Sequence, residues 1–96
     1  METFSMHLQS WQKDHEGIPI FRGTEDAIAY AHLVVDDDYE RGKMKVYMTS
    51  VYRELDDARE AGHIPLQGLL NMACRCQLYR ECVEEIDRIK DERISL

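Results

Sequence analysis

The chain has 96 residues, of which 44% are hydrophobic and 32% are charged. This length fits one small domain, and this hydrophobic fraction excludes the composition of a disordered protein. The 19 acidic and 12 basic residues give a net charge of −7. Such a charge repels phosphates and anionic lipid headgroups, so we expect no direct binding to nucleic acid or to a membrane, and a protein partner with a basic surface instead.

Targeting features are also missing from the sequence. No window reaches the roughly 18 apolar residues of a membrane span, and the first residues lack the basic and apolar regions of a signal peptide. The three cysteines lie close together at Cys74, Cys76 and Cys82, an odd number that argues against a secreted disulfide framework. We therefore expect a cytoplasmic protein.

The first predicted element is a β-hairpin over residues 3–22. Phe4, Met6 and Leu8 alternate with polar residues, which is the two-residue period of a half-buried strand. The polar segment QKDHEG then leads into IPIFR, where Pro19 cannot donate to a ladder and therefore favours an edge strand.

Two amphipathic helices are predicted next. Thr24, followed by two acidic residues, is typical of an N-cap, and apolar residues at helical spacing extend a helix over residues 24–36. The polar segment DDDYERG predicts a break. Apolar residues three or four apart then predict a helix over residues 43–61, which Gly62 is placed to end.

The last third of the chain predicts a long helical region over residues 65–93, with Pro65 in its first turn. Gaps of three and four residues separate its apolar positions, which are Leu69, Met72, Cys76, Tyr79, Val83 and Ile86. The pattern does not decide between one helix and two joined near CQLY. We predict a single α+β domain over residues 1–96, in which an N-terminal β-hairpin packs against about three α-helices and the C-terminal half is mostly helical.

The cysteines raise the question of a metal or redox site. On an unbroken helix Cys74 and Cys76 point to nearly opposite faces, and Cys82 lies roughly 12 Å along the axis from Cys74. Three such sulfurs cannot share a metal or pair as a disulfide within the helix. We therefore predict no metal and no cofactor, and we place a small metal-binding or redox regulator last among the functions. A bend at CQLY would weaken this argument.

The sequence does not match the motif of a calcium-binding loop or that of a nucleophilic catalytic site. The segment from Asp36 begins like an EF-hand loop, but Arg41 stands where glycine is required and Tyr47 where a bidentate glutamate is required. The four histidines are scattered over four segments, and no nucleophile motif accompanies them. We predict no enzymatic activity and no catalytic residues.

Acidic surface is the remaining functional feature. The ordinary interpretation is solvated helix faces with i,i+4 ion pairs, and the sharper one is an anionic face that binds a partner. Tyr39 is the expected exposed contact residue because tyrosines anchor interfaces. The predicted partner-binding residues are Asp36, Asp37, Asp38, Tyr39, Glu40, Glu54, Asp56, Asp57 and Glu60.

Size, charge and missing motifs favour a non-enzymatic inhibitor as the leading hypothesis. It would be a phage or mobile-element protein of the anti-CRISPR type, whose acidic face mimics nucleic acid and covers a basic nucleic-acid-binding surface on its partner. The alternative is a helical homo-oligomeric assembly or scaffold module. Such a module would form a homodimer by extending the apolar stripe of the C-terminal helix beyond the monomer.

Overall fold

The computed structural model describes residues 11–14 and 16–95, and within them the chain forms three α-helices. Helix α1 spans Thr24–Val34, α2 spans Asp38–Ala61 and α3 spans Leu66–Ser95. Helix α3 is central, because α1 and α2 both pack mainly on it and contact each other little. None of the described helices carries an apolar run long enough to cross a membrane.

The predicted β-hairpin, and with it the α+β class, is wrong: the described residues form an all-α domain without a strand. Residues 3–10 of that prediction lie outside the described part. Beyond them, one isolated antiparallel bridge joins Lys13 and Pro19. The Ile20 carbonyl accepts a hydrogen bond from the Trp11 indole at 3.2 Å, instead of from the backbone amide that would continue a ladder.

Asp14 explains the other end of this bridge. Its carboxylate accepts hydrogen bonds from the backbone amides of Glu16 and Ile18, at 2.8 and 3.0 Å. Side chains of this type compete with sheet ladders by offering the backbone a local acceptor. The segment therefore closes as a tight loop rather than as two strands.

Aromatic rings hold this loop on the helices. The Phe21 ring lies 5.5 Å from the Tyr30 ring of α1 and 5.9 Å from the Tyr79 ring of α3, and the Trp11 ring lies 5.4 Å from Tyr30. The rings meet edge-on or tilted, in the arrangement that aromatic quadrupoles favour. The loop thus covers the groove between α1 and α3 without forming a sheet.

The core follows the predicted helical spacing. Met44 and Tyr30 are fully buried, as is Ile86 near the end of α3. Most of the apolar stripe predicted on α3 lies inside the monomer, since its later members have at most 6% of their surface exposed: Cys76, Tyr79, Val83 and Ile86. That stripe is therefore the surface of α3 against which α1 and α2 pack.

Helix α2 starts five residues earlier than predicted. Asp37 is the N-cap, and its carboxylate accepts a hydrogen bond from the Glu40 amide at 3.1 Å. Acidic residues in the first turn stabilise the positive end of the helix dipole. The segment read as a polar break is therefore the first turns of α2, and Gly42 lies inside the helix.

The other helix ends agree more closely with the sequence. Gly62 adopts a left-handed conformation with φ of 66°, and its amide donates to the Ala58 carbonyl at 3.1 Å, which confirms it as the residue that ends α2. Thr24 is not the N-cap of α1. Gly23 occupies that position without a side-chain hydrogen bond.

Helix α3 runs without a break through CQLY and is 30 residues long. The helix does not bend at CQLY, so the unbroken geometry assumed for the three cysteines holds. The three sulfurs are distributed around and along one helix.

Replacement of Met44 by alanine tests the core. Met44 is fully buried, whereas Val46 on the same helix has 66% of its surface exposed. We expect Met44→Ala to lower the free energy of unfolding by about 2–5 kcal/mol, because it leaves a cavity between helices. Val46→Ala should change it by no more than about 0.5 kcal/mol. Urea denaturation followed by circular dichroism measures both, and equal effects would contradict this packing.

Candidate partner-binding surface

The first acidic group consists of Asp36, Asp37, Asp38 and Glu40, and two of its carboxylates form ion pairs with the last turns of α3. The carboxylate of Asp36 contacts the Arg93 guanidinium at 2.5 Å, and that of Asp38 contacts the Lys90 ammonium at 2.6 Å. In a third pair the base is on α2 and the acid is on α3: the Arg41 guanidinium contacts the Asp87 carboxylate at 2.5 Å. We call these three pairs the α2–α3 clamp.

The remaining acids of this group are also engaged. Glu40 accepts a hydrogen bond from the Tyr30 hydroxyl at 2.8 Å and forms an ion pair with Lys43 at 3.2 Å. Asp37 caps α2. The carboxylates around Asp36–Glu40 therefore already contact the protein's own donors, while those of Asp36 and Asp38 keep 78% and 84% of their side-chain surface exposed.

The electrostatics agree with this placement. The hydrogen bond from Lys90 is the main cause that lowers the pKa of Asp38 below its ordinary value. Burial, followed by the hydrogen bond to Glu40, raises the pKa of Tyr30. Tyr30 therefore stays protonated and donates to Glu40 between α1 and α2.

Tyr39 faces solvent as predicted, as do the acidic residues Asp36, Asp37 and Asp38 before it. It has 75% of its surface exposed, and the Lys43 ammonium lies 5.5 Å from the centre of its ring. Tyrosine is one of the residue types that are enriched among interface hot spots.

The second acidic group is exposed on the C-terminal half of α2 and consists of Glu54, Asp56, Asp57 and Glu60. Asp56 lies 3.9 Å from Arg59 on the next turn. For Glu54, Asp57 and Glu60 the described part of the chain provides no ion-pair partner. These carboxylates differ from the first group because a partner can meet them without displacing an internal contact.

One face of α2 points to solvent along its whole length. Its exposed members follow intervals of three, four, seven, four and three residues, which is the spacing of a single helix face. We call it the outer face of α2, and it consists of Tyr39, Gly42, Val46, Arg53, Asp57 and Glu60. It is apolar near the start of the helix and acidic near the end.

A shallow depression of about 470 Å³ lies at the apolar end of this face, between Tyr39 and Val46. Gly42 is in the middle, and no atom lies within 4 Å of the position where a Cβ would stand. The missing side chain therefore opens the space between the two exposed apolar residues. Sequence reasoning missed Gly42 and Val46, although their three- and four-residue spacing from Tyr39 was a signal that could have found them.

Glu54 belongs to a different surface. It lines a hollow of about 450 Å³ that the N-terminal loop forms with α2 and α3, together with Arg75 and Tyr79. The second acidic group is thus divided: Asp57 and Glu60 are on the outer face of α2, and Glu54 faces the loop.

The three cysteines differ in exposure. Cys76 and Cys82 have at most 2% of their surface exposed, whereas Cys74 is exposed. Burial raises the pKa of Cys76, and burial followed by the charge of Glu40 raises the pKa of Cys82 to about 12. Among the residues that the structure describes, no group of three or more His, Cys, Asp or Glu side chains is placed to hold a metal ion.

The comparisons with known proteins find no matching protein family, no similar characterised protein and no solved structure that matches. The functional argument therefore depends on the geometry of this chain alone.

Glu85 provides a test of the electrostatics by pH. It accepts hydrogen bonds from Arg88 at 2.7 Å and pairs with His32 of α1 at 2.8 Å. These contacts, chiefly that of Arg88, lower its pKa from 4.5 to about 2. A carboxyl whose pKa falls on folding stabilises the protein fully above its unfolded pKa and loses that contribution as the pH falls toward the folded pKa.

We therefore expect Glu85→Gln to reduce the loss of stability between about pH 4.5 and pH 2, relative to the unchanged protein. Glu84→Gln is the control, because Glu84 is exposed and has no ion pair among the described residues. Urea midpoints measured across this pH range give the result. Identical pH profiles for the two variants would contradict the role of Glu85.

Thiol reactivity tests the placement of the cysteines. In the folded protein we expect one rapidly reacting thiol, Cys74, because burial shields Cys76 and Cys82 and disfavours their thiolates. In denaturant all three should react. Ellman titration of the unchanged protein and of Cys74→Ser measures this, and a fast phase that persists in Cys74→Ser would show that the α3 packing is wrong.

Proposed function

We propose that the chain is a non-enzymatic protein-binding module that uses the outer face of α2 to bind a basic surface on another protein. The observation that carries this proposal is the free face itself. Exposed apolar side chains lie at one end of it, and carboxylates without an internal partner among the described residues lie at the other.

The apolar end supports binding through an anchor. Tyr39 and Val46 have 75% and 66% of their surfaces exposed, and the depression over Gly42 separates them. Exposed apolar groups gain free energy when a partner removes them from water, and a gap of this size accepts one apolar side chain. The partner should therefore insert an apolar residue between Tyr39 and Val46.

The acidic end supports a basic partner. Asp57 and Glu60 can meet lysine or arginine with the whole carboxylate, whereas Asp36 and Asp38 would have to share a carboxylate that already pairs with Arg93 or Lys90. The net charge of −7 adds a long-range attraction that speeds encounter with a basic surface. Of the predicted residues, the proposed face keeps Tyr39, Asp57 and Glu60 and adds Gly42, Val46 and Arg53.

The partner class follows from this complementarity. Basic surfaces of the required sign are common where a protein binds nucleic acid. A small acidic module that covers such a surface would act as an inhibitor of the anti-CRISPR type. Charge supports this more specific proposal, and the face on α2 supports the general one.

Site-specific photo-crosslinking tests the face. A benzoylphenylalanine placed at Val46 should capture a protein partner in the cells that encode this chain, while the same group at Ile94, which is 83% exposed on α3, should not. Asp57→Lys with Glu60→Lys should abolish capture, because the introduced lysines would repel the basic partner. Capture at both positions, or capture unaffected by the charge reversal, would contradict the proposal.

Two control variants separate binding from folding and from net charge. Glu84→Lys with Asp91→Lys makes the same change in charge on exposed positions of α3 and should leave capture intact. Gly42→Ala should raise the free energy of unfolding by about 0.5–1 kcal/mol, because glycine is unfavourable inside a helix. Gly42→Phe should lower capture, because its ring occupies the depression, whereas the methyl group of Gly42→Ala is small beside about 470 Å³ and should leave capture intact.

A further inference from the structure

The tip of the α2–α3 hairpin differs in composition from the rest of the chain. The 13 residues from Gly62 to Cys74 contain no Asp, Glu, Lys or Arg, although 32% of the whole chain is charged. Five of the residues from Leu66 to Cys74 are leucine, methionine or alanine. A charged protein that leaves one apolar end without charge marks that end as an interface.

Burial confirms that this end lacks a cover among the described residues. The first fully covered side chain of α3 is Cys76, more than two turns after the helix begins. Leu66 and Leu70 have 72% and 50% of their surfaces exposed. Tyr79, further along α3, contacts the Phe21 ring at 5.9 Å, and Glu85 pairs with His32 of α1 at 2.8 Å.

We infer that a second copy of this chain covers the start of α3, so that the protein forms a homodimer through its hairpin tips. Leu66, Leu70 and Ala73 recur at gaps of four and three residues, which is the spacing of a helix seam that packs on another helix. A symmetric pair buries the same patch on both copies, and here apolar groups meet apolar groups.

Charge selects a second copy over a charged partner. Two copies that each carry a net charge of −7 repel each other. This electrostatic repulsion is weakest where the uncharged tips meet. A basic partner gains no ion pair at this tip. The inferred contact therefore does not depend on the proposed function of the outer face of α2.

The geometry of the pair follows from the patch. Leu70 is the midpoint of the uncharged helical segment Leu66–Cys74, so an antiparallel pair has its two-fold axis near Leu70. The two Cys74 residues are then about 12 Å apart along the helices, which exceeds the roughly 7 Å limit for a disulfide. The nine residues of Leu66–Cys74 are fewer than the roughly 20–30 residues that each side of a standard interface contributes, so we expect association that depends on concentration in the micromolar range or above.

Sedimentation equilibrium of the full chain from about 10 µM to 1 mM tests the inference, a range set by the expected weak interface. We expect the mean mass to rise toward that of a dimer, and salt to leave the association unchanged or stronger because it screens repulsion. Leu70→Glu should remove the dimer, while Ile94→Glu, on an exposed position at the other end of α3, should not. Circular dichroism and urea midpoints confirm that both variants fold.

Cross-linking of Cys74 supplies an independent readout. A bismaleimide that spans about 12 Å should join two copies through Cys74, and Leu70→Glu should lose this product. A mass that stays monomeric up to 1 mM, or a dimer that survives Leu70→Glu, would overturn the inference. Salt-weakened binding of a basic partner together with a strictly monomeric chain would overturn it while leaving the proposed function intact.

Discussion

The architecture depends on α3 being one uninterrupted helix. Both other helices and the N-terminal loop pack against it, through Tyr79, Cys82 and Ile86 in particular. α1 and α2 make little contact with each other, so neither would hold its place without α3. The long helix also sets the register of the hairpin, because it places Asp87, Lys90 and Arg93 beside the start of α2.

This register determines which carboxylates can serve a partner. Those near the start of α2 meet the bases at the end of α3, whereas Asp57 and Glu60 are on the outer face of α2 and have no ion-pair partner among the described residues. Exposed ion pairs contribute little to stability, typically about 0–1 kcal/mol. Their larger consequence here is to neutralise one acidic segment and to leave another available.

Helical periodicity predicted all three helices, and Gly62 predicted the end of α2. The N-terminal hairpin could not be judged from alternation alone, because Asp14 and Trp11 supply side-chain hydrogen bonds that replace a ladder. The start of α2 is marked in the sequence by a capping pattern. Asp37 and Glu40 have the spacing of a capping box, which marks a helix start where net polarity indicates a loop.

The candidate site was harder to predict than the fold. Composition identified the acidic residues and Tyr39, but it could not distinguish Asp38 from Asp57. That distinction depends on whether Lys90 lies within reach, and so on how two helices align across a hairpin. Sequence periodicity defines the faces of each helix, whereas relative register comes from packing.

A distance along α3 tests this dependence most directly. Spin labels on native Cys74 and on Ile94→Cys report it in a Leu70→Glu background, which excludes distances between copies, because both labelled positions are exposed and the other two cysteines are buried. Twenty residues separate the labels, so an unbroken helix holds their backbones roughly 30 Å apart. We predict a narrow distribution near that value by double electron–electron resonance. A broad or much shorter distribution would mean that α3 bends near CQLY, and it would contradict the register on which the clamp and the free carboxylates depend.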